Sequence, residues 1–96
     1  MNLGNVILRW RKRRGLTQAE LSQRSGLSQV FISLLESGSK KPSIETLEIL
    51  SKCLEVPVAV IIFQASSEED METEAGRAIF KELSSALNRL ADTAFK

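Results

Sequence analysis

A chain of 96 residues with 43% hydrophobic and 26% charged side chains has the make-up of a soluble domain, long enough for one core and one further element. Its longest apolar stretch, Val56 to Phe63, is far shorter than the roughly eighteen residues of a membrane span, and no charged-then-apolar leader opens the chain, so a cytoplasmic protein without membrane contact is expected. A single cysteine, Cys53, and no histidine rule against an internal disulfide or a zinc site, and no metal or cofactor is expected.

The formal charge of +1 hides an asymmetry. Residues 1–65 carry nine Lys/Arg against five Asp/Glu (+4), and residues 66–96 carry four against seven (−3). An anionic partner therefore favours the N-terminal part, where Arg9, Arg11, Lys12, Arg13 and Arg14 are bunched and Lys40 and Lys41 form a second pair. A charge run alone is more often a solvated face than a binding site, so the case must come from its setting.

In chain order, Leu3, Ile7, Trp10, Arg11 and Arg14 recur at helical spacing, which predicts a helix over about 2–14 stopped by Gly15. Thr17 followed by Glu20 reads as a capping box opening a helix over about 18–24. Gly26 can close that helix and Ser28 can cap the next, over about 29–37, so the break between them is short. Ser43 can cap a fourth helix with Leu47, Leu50 and Leu54 inward, and Cys53 sits in the same apolar pattern as a packed side chain. Pro57 suits the first turn of a fifth helix, 58–63. The β-branched run Val56 to Ile62 would also suit a strand, but it would have no partner. A polar, acidic stretch at 64–69 reads as a linker. Met71, Ala75, Ile79, Leu83, Ala86, Leu87, Leu90 and Ala94 then predict a sixth helix over about 70–93. The division expected is a domain at 1–63, the linker at 64–69 and a C-terminal segment at 70–96.

Two short helices joined by a turn containing Gly form the unit whose second helix can enter the major groove of DNA. Leu21, Leu27, Ile32 and Leu35 would pack between and beneath the pair. Ser22 would bond back to its preceding turn. Gln29, Val30, Ser33, Leu34 and Ser37 are left facing outward on the third helix. Gln can bond a base edge in two directions, Ser can bond either partner, and Val can touch a thymine methyl.

The string from Leu16 to Val56, with Arg11 before it, resembles the lambdoid phage repressor and Cro family, also called the xenobiotic-response-element type of helix-turn-helix regulator. The resemblance covers about Ile7 to Ile62. It rests on Arg11, Leu16-Thr17-Gln18, Glu20-Leu21, Gly26, Ser28, Ile32, Glu36, Gly38, Pro42 and the leucines of the fourth helix. It implies an all-α, five-helix, lambda-repressor-like domain, here with an additional C-terminal helix, that places its third helix in the groove. On these positions it implies base contacts by Gln29, Val30 and Ser33, a phosphate at Gln18 and at the loop of Lys40 and Lys41, and a structural pair of Arg11 with Glu36. Thr17, Ser28 and Ser37 are counted with the phosphate contacts, as is Arg14 from the basic run. Leu34 departs from the family pattern, where a long polar residue is common, and either touches a thymine or reads nothing. Phe31 either packs or lies against the DNA backbone.

An enzyme is not expected: histidine, a thiol beside a base and a glycine-rich phosphate loop are all missing from the sequence. The expected function is a transcriptional regulator, a repressor, that binds a near-palindromic double-stranded operator as a homodimer. Its dimer contacts are expected at Val58, Ile61, Ile62, Phe63, Ile79, Leu83, Leu87 and Leu90, because the fifth helix is apolar on nearly every face. The competing reading is a protein-interaction module of the same fold, such as an antitoxin or anti-repressor-binding protein, with a partner on the C-terminal helix.

Overall fold

A computed structural model describes residues 1–94; Phe95 and Lys96, the end of the expected C-terminal segment, lie outside the described residues. Six α-helices follow one another: α1 (Leu3–Arg13), α2 (Gln18–Ser25), α3 (Gln29–Ser37), α4 (Ile44–Leu54), α5 (Val58–Ala65) and α6 (Glu74–Ala94). A 3-10 turn at Glu68–Asp70 lies between the last two. Among the described residues there is no strand, and the β-branched run is helical from Val58 onward.

The helices begin where side chains can satisfy free N–H groups. Asn2, Thr17, Ser28 and Ser43 each accept a bond from the backbone N–H three residues on, and Thr17 and Glu20 complete a reciprocal capping box. The Thr17 N–H is the main reason the Glu20 carboxyl is held below its ordinary pKa.

Three helix ends share one device. A left-handed residue, Gly15, Gly26 or Glu55, turns the chain. The side chain four residues earlier, Arg11, Ser22 or Ser51, then donates to the carbonyl of the residue after the turn, Leu16, Leu27 or Val56. Those three apolar residues tuck inward, so each corner joins a satisfied carbonyl to a buried anchor. Ser22 thus bonds forward across the turn, not back to its preceding turn as expected, because the Leu27 carbonyl has left the helical ladder and needs a donor.

The core joins Val6, Ile7 and Trp10 of α1 to Leu21, Ile32, Leu35, Leu47, Leu50, Leu54, Val60 and Ile61. α1 is its hub, packing on α3, α4 and α5. Gly4 sets its approach to α3: a Cβ there would lie 2.1 Å from the Leu35 carbonyl oxygen. Only glycine permits that backbone distance. Cys53 is half-buried against this core, and Phe31 packs on it in the same way with part of its ring open.

The expected boundary at residue 63 moves. α5 continues to Ala65, which is buried and whose carbonyl accepts the Asn2 N–H at 2.7 Å. Gln64 is therefore helical and not linker. α6 begins only at Glu74 and docks on α5, with Phe80 stacked on Phe63 at a centroid distance of 5.0 Å and Ala91 fully buried. A polar relay holds its far end: Trp10 Nε1 donates to Gln64 Oε1 (2.7 Å), and Gln64 Nε2 donates to Asn88 Oδ1 (3.1 Å). Arg13 adds bonds to the Asp92 carboxylate (2.7 Å) and carbonyl (3.0 Å).

Candidate nucleic-acid interface

The turn between α2 and α3 is short because Gly26 takes φ 76° and Ser28 starts the next helix at once. Ile32, Leu35 and Glu36 face inward along α3, while Gln29, Val30 and Ser33 are exposed. Val30 is 72% exposed, an unusual position for a valine with no partner. Leu34 is half-buried, which limits its reach. The outward row is uncharged, and of the side chains in it Gln29 alone carries both a donor and an acceptor on one rigid amide.

A buried polar cluster fixes how α3 is presented. Arg11 Nε and a terminal nitrogen bond the two oxygens of Glu36 at 2.7 and 3.0 Å, and a further nitrogen bonds the Leu16 carbonyl at 2.8 Å. Both residues are 9% exposed. The Glu36 hydrogen bond is the main cause that raises the Arg11 pKa, so this guanidinium stays charged. Gln18 Nε2 donates to the same carboxylate at 3.0 Å. Glu36 thus holds α1, the start of α2 and the end of α3 at one point, and leaves Gln18 its second amide hydrogen and its backbone N–H at the α2 terminus. Charge-assisted, two-pronged bonds of this kind set angle as well as distance.

The other expected phosphate ligands are placed unevenly. Thr17 and Ser28 accept cap bonds through their hydroxyl oxygens, which leaves each hydroxyl proton able to donate outward. Lys40 and Lys41 are exposed in the loop after α3. Ser37 is exposed but bonds the Leu34 carbonyl and Ser39.

Arg14 departs from expectation. Its guanidinium bonds the carbonyls of Leu54 and Glu55 at 2.7 and 3.1 Å and lies over Trp10, because the C-terminus of α4 offers carbonyls that a cation satisfies well. Of the basic run, Arg11, Arg13 and Arg14 thus serve the fold, and Arg9 and Lys12 remain exposed.

The expected dimer residues also divide. Ile61 is 0% exposed inside the protomer core, which corrects its assignment to an interface: it has no surface to offer. Val58, Ile62 and Leu87 are half-buried against that core, and Phe63 is covered in part by Phe80. Ile79, Leu83 and Leu90 are 58%, 53% and 59% exposed. With Ala59, Ile62, Phe63 and Phe80, the first two line an apolar groove of about 650 Å³ between α5 and α6. Gly4, Gln64, Asn88 and Asp92 were not expected to matter. A glycine inside an amphipathic helix signals a close approach, but nothing in spacing pairs Trp10 with Gln64 across 54 residues.

The helix-turn-helix family matches residues 7–61, from the middle of α1 to α5, and so contains the whole Arg11–Glu36–Gln18 cluster and both capped helices. The chain belongs to the Cro/C1-type helix-turn-helix family. Within that family it is 43% identical over 54 residues to an uncharacterized HTH-type transcriptional regulator, y4dJ, of Sinorhizobium fredii, which covers 56% of this chain and 70% of that protein. It is 30% identical over 74 residues to the immunity repressor protein of Bacillus phage phi105, covering 77% of this chain and 51% of that protein. It is 32% identical over 73 residues to the HTH-type transcriptional regulator SinR of Bacillus subtilis, covering 75% and 61%. The chain therefore spans about half the length of the phage repressor and less than two thirds of SinR. No solved structure matches it significantly. Among the described residues no helix is long and apolar enough to cross a membrane.

Proposed function

We propose that this chain is a sequence-specific DNA-binding repressor of the cytoplasm that inserts α3 into the major groove and acts as a homodimer on a near-palindromic operator. The observation that carries the reading is the two-sided build of α3. Its inner face is locked to α1 and α2 through the buried Glu36 carboxylate, while Gln29, Val30 and Ser33 stand exposed on its outer face. A helix held this firmly and left bare of internal partners is built to present side chains. The N-termini of α2 and α3, with Thr17, Gln18 and Ser28, and the loop of Lys40 and Lys41 supply phosphate donors that set its register. Two such modules about 34 Å apart would read successive major grooves on one side of the duplex.

The test separates residues that read sequence from residues that hold the backbone. On a duplex recovered by unbiased selection, Gln29→Ala weakens binding by about 1–3 kcal/mol with little loss on random DNA. Lys41→Ala weakens both duplexes together and lowers the slope of log affinity against log salt by about one per subunit. Equal loss on both duplexes for Gln29→Ala would show that α3 does not read bases and would favour the interaction-module reading.

A further inference from the structure

α6 carries two apolar faces. Phe80, Leu87 and Ala91 turn to α5 and the core, whereas Ile79, Leu83, Ala86 and Leu90 form a neighbouring row that leaves its three large side chains more than half exposed. That row steps by four, three and four residues, the spacing of a two-helix seam. Flanking it on the side away from α5 are Glu82 and Arg89. Among the described residues, neither has an ion-pair partner within the protomer.

We propose that a second copy of this chain covers this row, with the two α6 helices antiparallel and their two-fold axis beside Ser84 and Ser85. The proposal rests on the homodimer inferred above and specifies its geometry. In this register Ile79 of one copy meets Leu90 of the other, and Leu83 meets Ala86. Each layer then joins a large side chain to a complementary one, whereas parallel helices would stack Ala86 on Ala86 and leave a void. The same register sets Glu82 of each copy opposite Arg89 of the other, giving two symmetric ion pairs. In a parallel pair Glu82 would face Leu87 and gain nothing. The groove lined by Ile62, Phe63, Ile79, Phe80 and Leu83 continues directly from this seam, so α5 of each copy borders the contact. The self-complementary charge pattern is what selects a second copy over an unrelated helix.

Charge reversal on the full chain, followed by sedimentation and by melting to confirm folding, tests the arrangement. Glu82→Arg sets two arginines against Arg89, and Arg89→Glu sets two glutamates against Glu82. Each alone weakens dimerisation by roughly tenfold or more, since two exposed pairs turn repulsive. An equimolar mixture of the two variants forms a heterodimer of near wild-type affinity, and so does a homodimer of the chain carrying both changes. Single variants that dimerise as tightly as wild type, or a mixture no tighter than its components, overturn the antiparallel seam. A wild-type chain that is monomeric across the accessible concentration range overturns both the seam and the homodimer. Loss of the Gln29-dependent preference on a single half-site would instead count against DNA reading alone, because half-site binding needs only one copy.

Discussion

Arg11 and Arg13 leave the same helix two residues apart, each takes a carboxylate from a distant helix, and the two pairs do different work. Arg11 reaches inward to Glu36, where the side chains are 11% and 3% exposed, and Arg13 reaches along the surface to Asp92, where they are 34% and 68% exposed. Both bonds measure 2.7 Å. Length therefore says nothing about worth. In the first pair water is displaced, every donor must be matched, and the loss of one partner strands a charge. In the second pair solvent stands ready to replace either partner. The inner pair orients the face proposed to read DNA, and the outer pair pins one end of the C-terminal helix.

Removing one partner from each pair separates the two. Arg11→Ala and Glu36→Ala are each expected to cost about 3–5 kcal/mol in urea unfolding. The raised Arg11 pKa gives the sign of the pH effect. Its contribution is fully present below the unfolded arginine value and lost only as pH rises through the still higher folded value, so the Arg11→Ala deficit should stay level through neutral and mildly alkaline pH. A small deficit would mean that the cluster is wetter than its burial implies.

Gly4→Ala comes next. Alanine is ordinarily the better helix former by about 1 kcal/mol, but here the added methyl meets the Leu35 carbonyl, and a net loss of about 1–3 kcal/mol is expected. The same denaturation measurement decides it, and a gain in stability would show that α1 can slide away from α3 freely. Because Gly4 lies opposite the turn that bears Glu36, this variant also tests whether backbone approach and the inner ion pair support each other.

Arg13→Ala and Asp92→Ala should each change global stability by less than about 1 kcal/mol, with the difference shrinking at high salt. Trp10 is the single tryptophan and stands in the relay to Asn88, so its fluorescence reports docking of α6 even where melting does not. A loss as large as that of Arg11→Ala would erase the distinction between the two pairs. The smallest effect expected is a gain. Glu55 holds φ 57° at the end of α4, and Glu55→Gly relieves that strain while the backbone carbonyl that receives Arg14 remains, for roughly 0.5–1 kcal/mol of added stability. Thermal melting is sufficient to see it.

Elements whose causes are local could be read along the chain. Caps at Thr17, Ser28 and Ser43, the left-handed Gly15, Gly26 and Gly38, and the inward leucines of α4 all act within a few residues, which is why α3 and α4 fall where spacing placed them. The outward row of α3 was legible for the same reason: spacing left Gln29, Val30, Ser33, Leu34 and Ser37 outward, and of these Leu34 is half-buried. Features that depend on residues far apart in the chain emerge only from packing. Arg14 turns to the α4 terminus, Ile61 is enclosed in the core, Gln64 belongs to a helix, and the single apolar stripe expected on α6 separates into a docked face and an open one. Helical periodicity records that a side chain is apolar and on which side of its own axis it lies. It holds no record of what stands opposite, and in this chain the packing of α6 on α5 sets Phe80 inside and leaves Ile79 in water.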